Sequence, residues 1–194
     1  MSKELSLPLA STATPAFWLS TAGVVILGSA FAAVCARVSV PLFFTPVPLS
    51  LAPFAVLLLG LLLPPRLAAA TFVTYLAEGA IGLPVFAPTP LVPGLAHLFG
   101  PTGGYLLAYP LAALLIAIFY SRTGRGFTSA ALSAAAGSLV ILACGALWLA
   151  ILTHTSIQSA FALAVLPFLP GDVLKIVTAA AVATGFRRLR HRSA

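Results

Sequence analysis

Residues 129–153 read SAALSAAAGSLVILACGALWLAILT, and not one of them is charged. About 20 apolar residues in helical conformation cross the hydrocarbon core of a bilayer, so this stretch is long enough to span one unaided. Its first part, Ser129–Ser138, is almost entirely Ala, Ser and Gly. Small side chains let helices approach closely where lipid removes any hydrophobic drive to associate. A second small-residue face recurs at four-residue spacing in Gly28, Ala32 and Ala36, with Ser29 and Ala33 beside it. Both faces read as contacts within the chain, with docking to a second membrane subunit as the alternative.

The whole chain has the same character. Its 194 residues are 61% hydrophobic and 7% charged, against roughly 45–50% and 25% in soluble domains. Three acidic and ten Lys/Arg side chains cannot clothe a soluble protein of this size. Six apolar segments suit spanning helices: Ala16–Ala36, Leu49–Leu63, Leu67–Ile81, Gly103–Tyr120, Ser129–Thr153 and Asp172–Phe186. The expected fold is all-α, a single integral membrane domain over residues 1–194. Residues 1–15 form a short N-terminal tail, and 187–194 a basic C-terminal tail.

The connections divide into kinds. Pro64-Pro65-Arg66 and the turn from Ser121 to Gly126 are tight and basic. Val38–Pro48 and Gly82–Thr102 are longer, apolar and broken by Pro and Gly, and His154–Gly171 is mixed. Irregular backbone at membrane depth must be buried in protein or line a cavity. These segments are therefore expected to lid an outward-facing cavity that holds a small solute between the helices.

With six spans both termini share one side. If that side is cytoplasmic it carries Lys3, Arg66, Arg122, Arg125, Arg187, Arg188, Arg190 and Arg192, eight of the ten basic residues. The positive-inside rule then puts both termini in the cytoplasm. The net charge of +7 is thus a membrane-surface feature facing anionic lipid, and nucleic acid is not an expected partner. Cys35 and Cys144 sit in apolar runs without metal-ligand spacing, so no metal is expected. No GxxxxGK[ST] loop is present, so the chain does not bind ATP in that way.

Four charges remain outside the tails and basic loops: Arg37, Glu78, Asp172 and Lys175. All four fall toward the outer side of the six-span arrangement, and their formal charges cancel. Intramembrane charges are costly unless paired or hydrated, so they read as a polar site. They also admit a purely structural reading. Asp172 and Lys175 are three apart and share a helix face, Asp172 follows Pro170-Gly171 where a helix cap would sit, and an interfacial Arg37 can snorkel. His97 lies in the second Pro/Gly-rich segment. Phe43, Phe44, Phe86, Phe99 and Tyr105 flank the irregular segments.

These same segments carry a resemblance. Phe44-Thr45-Pro46-Val47-Pro48, Gly79–Phe86, Gly100–Leu106 and Phe168–Lys175 are similar, in order, to segments of the BioY family. The resemblance implies a biotin-binding S component of an energy-coupling-factor transporter in a bacterial cytoplasmic membrane. Such a chain is not an enzyme and has no cofactor of its own; it works with a transmembrane coupling subunit and a pair of ATPases. It implies ligand contacts from Asp172 and Lys175, with Asp172 accepting from the ureido ring of biotin. Tyr105 and Phe86 would supply walls, and Gly103 and Gly104 would allow close backbone approach. Arg37 could draw in or hold the ligand's carboxylate, although the resemblance gives it no role, and Glu78 or His97 would stand in for lost polar contacts. The chain departs from the family in having Ala52 where a Gln is frequent and a Pro-rich stretch at Ala87–Ala96. Other readings stay open: an S component for another vitamin, a membrane enzyme using Glu78 or Asp172 on a lipid-like substrate, or a scaffold.

Overall fold

The computed structural model describes residues 15–89 and 94–192, and for 15–19 and 190–192 the backbone path alone. Lys3 and Glu4 of the expected N-terminal tail, and residues 90–93 of the Pro-rich stretch, lie outside the described residues. The elements run α1 (Pro15–Arg37), β1 (Ser39–Val40), β2 (Leu49–Ser50), α2 (Ala52–Leu62), α3 (Pro65–Ala80), α4 (Leu95–Leu98), α5 (Gly103–Arg122), α6 (Phe127–Thr153), α7 (Ile157–Ala164) and α8 (Leu169–Arg192).

Every expected spanning segment is a helix, but they are not equal. Four are long and apolar enough to cross a membrane: Ser20–Arg37, Gly103–Arg122, Phe127–Thr153 and Leu169–Leu189. Helix α2 has 11 residues and α3 has 16, or about 16 and 24 Å at 1.5 Å per residue. The Pro64-Pro65 pair causes the break. It holds Leu63 extended, as the residue before a proline prefers, and Pro65 restarts the helix at a position whose N–H would have no partner anyway.

Three expectations need correction. The fold is not purely α, because residues 39–50 close an antiparallel hairpin pairing Ser39 with Ser50 and Val40 with Leu49. The segments expected to be irregular also contain the short helices α4 and α7, the latter started by Ser156, whose hydroxyl accepts from the Ser159 amide at 3.2 Å. Finally, α8 begins before Asp172 and continues through Arg192. Asp172 therefore sits inside the first turn, its amide bonded to the Phe168 carbonyl at 2.8 Å, and does not cap the helix. The basic segment is the last turns of α8.

Helix α5 is the hub, packed against α2, α3 and α6, while α1 lies on α2 and α3, and α8 on α2 and α6. Ser29 meets Glu78 and Arg37 meets Pro84, so α1 and α3 run parallel. Gly104 faces Trp148 while Ile116 faces Gly137, so α5 and α6 run antiparallel. One end of the bundle thus carries Arg37 and Glu78, while Asp172, bonded to Ser138 near the middle of α6, lies deeper with Lys175. The other end carries Arg66, Arg122 and Arg125, with the Arg187 guanidinium 4.8 Å from the Tyr120 ring centre. Between the ends, large apolar side chains face outward, among them Leu27, Val34, Leu132, Leu139 and Leu174. Acyl chains, not water, suit such a surface.

Two of the irregular segments are tied to helices by side chains that donate to their carbonyls: Tyr75 to Val85 at 3.1 Å, Trp148 to Gly100 at 2.9 Å and Arg37 to Pro84 at 2.5 Å in the one, and Tyr105 to Ala164 at 2.6 Å in the other. Non-helical backbone in an apolar setting needs such partners.

The α5–α6 contact depends on the absence of a side chain at Gly104. A methyl there would overlap Trp148 Cβ and come within 2.6 Å of the Cys144 carbonyl oxygen. We expect Gly104→Ala to cost about 1–3 kcal/mol through overpacking, more than the ~1 kcal/mol that Ala gains over Gly in a helix. Thermal unfolding in detergent checks this. Gly23→Ala, with nothing within 4 Å of the new methyl, is the control expected to unfold at or above the parent's temperature.

Candidate functional site

Where the irregular segments meet the helices they enclose a cavity. Its lining comes from the hairpin (Val47, Pro48, Ser50), the start of α2 (Ala52, Pro53), Tyr75 of α3, His97 of α4, Tyr105 and Tyr109 of α5, Ile141 and Leu142 of α6, and Phe168, Asp172 and Lys175 around the start of α8. Most of this wall is apolar or aromatic.

Its charge is concentrated in one place. Asp172 and Lys175 are 6% and 8% exposed, with Nζ 3.4 Å from Oδ1. One turn of helix brings both onto the same face. Charge-assisted hydrogen bonds are ordinarily about 2.7–2.9 Å, so this pair is slack. On the other side, Ser138 of α6 donates to Asp172 Oδ2. A carboxylate accepts at about four lone-pair positions and an ammonium donates three protons. Both groups therefore retain capacity toward the cavity.

Two further polar groups face the same space. The Thr102 hydroxyl is buried and has no partner among the described residues. His97 is buried, and desolvation lowers its imidazole below the ordinary value, so the neutral ring presents one donor and one acceptor.

The structure thus brings together Asp172, Lys175, Tyr105 and His97. It separates the other candidates from them. Phe86 stands behind the wall, its ring filling the place of a side chain at Gly79, 5.3 Å from the Tyr75 ring and 5.1 Å from His97. The space beside Gly103 and Gly104 is taken by the Leu98 carbonyl and Trp148, so the close approach these glycines allow is used here by neighbouring elements of the chain. Glu78 turns toward α1 and accepts from Ser29. Arg37 lines a neighbouring pocket. Of the four charges, Asp172 and Lys175 make the cavity's polar centre.

Sequence reasoning missed Ser138, Tyr75, Tyr109 and Thr102. Ser138 was hidden in a run of small residues read as packing, although a hydroxyl inside a spanning helix always needs an acceptor. Ala52, where the family frequently has Gln, does line the cavity, so this part of the wall offers no side-chain hydrogen bond.

Comparison with known proteins gives a consistent result. The model of the BioY family matches residues 7–192. The probable biotin transporter BioY of Pyrococcus horikoshii is 41% identical over 159 residues, covering 82% of this chain and 91% of that protein. The biotin transporter BioY of Thermotoga maritima is 35% identical over 161 residues, covering 83% and 92%. In three dimensions the chain superposes on the crystal structure of an S-component for biotin from an ECF-type ABC transporter with a TM-score of 0.82, at 24% identity, over 91% of this chain and 95% of that one. A match over nearly the whole length, with several long apolar helices beneath it, means that this multi-pass membrane protein belongs to the BioY family.

Proposed function

We propose that this chain is the substrate-binding subunit for biotin uptake across the cytoplasmic membrane, holding biotin in the Asp172–Lys175 cavity near the outer face. Family membership supports the task. The observation that carries the reading is the slack, buried Asp172–Lys175 pair in an otherwise apolar, aromatic-walled cavity.

The chemistry of biotin fits these groups. Its ureido ring has two N–H donors and one carbonyl acceptor. Asp172, held by Ser138, accepts from the ring, and Lys175 donates to the ureido oxygen. The thioether ring lies against Tyr105, Tyr109 and Phe168. The cavity measures about 50 Å³, below the roughly 300–1,000 Å³ of most small-molecule sites. Biotin therefore enters with a shift of the lid segments or of the aromatic walls.

The same proposal includes six membrane crossings, with the shorter α2 and α3 completed by the lid segments. The basic end, with Arg66, Arg122, Arg125 and the end of α8, faces the cytoplasm under the positive-inside rule, which puts both termini there. Energy for uptake comes from outside the chain, because it has no phosphate-binding loop. A transmembrane coupling subunit and an ATPase pair fill that role.

Calorimetric titration of the purified protein with biotin tests the assignment. Wild type is expected to bind. Asp172→Asn and Lys175→Ala each lose a hydrogen bond to a charged group, about 1.5–3 kcal/mol, or roughly 10- to 150-fold in Kd. Ser138→Ala is expected to weaken binding less. Absence of any heat or thermal protection with wild type would sink the vitamin assignment.

A second measurement separates a binding pair from a merely structural one. Asp172→Ala leaves Lys175 buried without its partner and is expected to destabilise the fold by about 3–5 kcal/mol. The double variant Asp172→Asn/Lys175→Met removes the stranded charge and should recover the unfolding temperature without recovering biotin binding. If the double variant binds biotin like wild type, the pair has only a structural role.

A further inference from the structure

Beside the cavity lies a second pocket, lined by Arg37, Pro84, Phe86, Ala87, Thr89 and His97 among others. The two are neighbours. Ala87 and His97 line both, and Ala36 of the first is followed by Arg37 of the second. The Phe86 and His97 rings, with centres 5.1 Å apart, stand between them.

The second pocket has donors in excess. The Arg37 guanidinium spends one contact on the Pro84 carbonyl, of the five N–H groups it carries. Among the described residues the one ion pair is Asp172–Lys175, so among them no carboxylate pairs with Arg37. The Thr89 hydroxyl is buried and unpartnered among the described residues. The rest of the lining is mostly apolar. A cation and a spare hydroxyl facing an otherwise apolar pocket suit a carboxylate.

We propose that this pocket is the subsite for the carboxylate of the ligand's side chain, with Arg37 and Thr89 as its donors. The inference rests on the biotin reading and deepens it: the ureido ring lies at Asp172–Lys175, and the aliphatic chain passes Phe86 and His97 to Arg37. The competing cation, Lys175, is the poorer choice. It is already balanced by Asp172, and a second carboxylate there would meet a like charge, which disfavours ionisation of both.

The test compares biotin with biotinamide, whose side chain ends in a neutral amide, on the full-length protein in detergent. Wild type is expected to prefer biotin by about 10-fold, the lower range for a hydrogen bond to a charged group. Arg37→Gln should bind biotinamide as wild type does and show no preference, Arg37→Lys should keep part of it, and Thr89→Val should reduce it. An unchanged preference in Arg37→Gln overturns the subsite. So does equal weakening of both ligands, which would mark Arg37 as a structural tie to Pro84. Wild type binding both ligands equally also overturns the subsite and leaves the biotin reading intact. Wild type binding neither overturns the biotin reading itself.

Discussion

An ammonium and a carboxylate lie buried together, 3.4 Å apart, in a wall of aromatic and aliphatic side chains. Burying either alone would cost several kcal/mol, so each depends on the other, and Asp172 depends further on Ser138 across the α6–α8 contact. That dependence fixes how α8 sits against α6. It also concentrates the cavity's electrostatics in one spot. A ligand that donates and accepts on one edge can slip into the slack of the pair, exchanging a long ion pair for two shorter hydrogen bonds.

The side-chain ties to the irregular segments follow from the need to satisfy backbone in an apolar setting. Tyr75, Tyr105, Trp148 and Arg37 each reach from a helix to a carbonyl of an irregular segment. Three of these ties fall on residues 82–102 and one on Ala164, and buried side chains such as Phe86, Leu98 and Phe168 hold the same segments by packing. A cavity too small for its ligand at rest suits a protein whose covering segments or walls shift to admit a solute.

How much of this was legible beforehand depends on the kind of information each feature carries. Long uncharged runs such as Ser129–Thr153 announce themselves by composition, and the three-residue spacing of Asp172 and Lys175 put them on one helix face. The hairpin at residues 39–50 did not, since two-residue strands leave no periodicity to detect. The start of α8 was missed because Pro170 and Gly171 read as breakers, whereas proline is at home in a first helical turn. Glu78 and Arg37 were grouped with them but face elsewhere. Facing is set by which neighbour each helix packs against, Ser29 for the one and Pro84 for the other, and a single sequence does not state its neighbours. Gly103 and Gly104 had the right property, room for close approach, but the atoms that use it belong to Leu98 and Trp148.

The most direct measurement is an experimental structure of the protein purified with biotin. The account predicts ligand density in the cavity, with a ureido N–H within hydrogen-bond distance of Asp172 and the ureido oxygen within reach of Lys175. Biotin resting elsewhere on the molecule, with the Asp172–Lys175 pair closed on itself and the cavity unchanged, would contradict it.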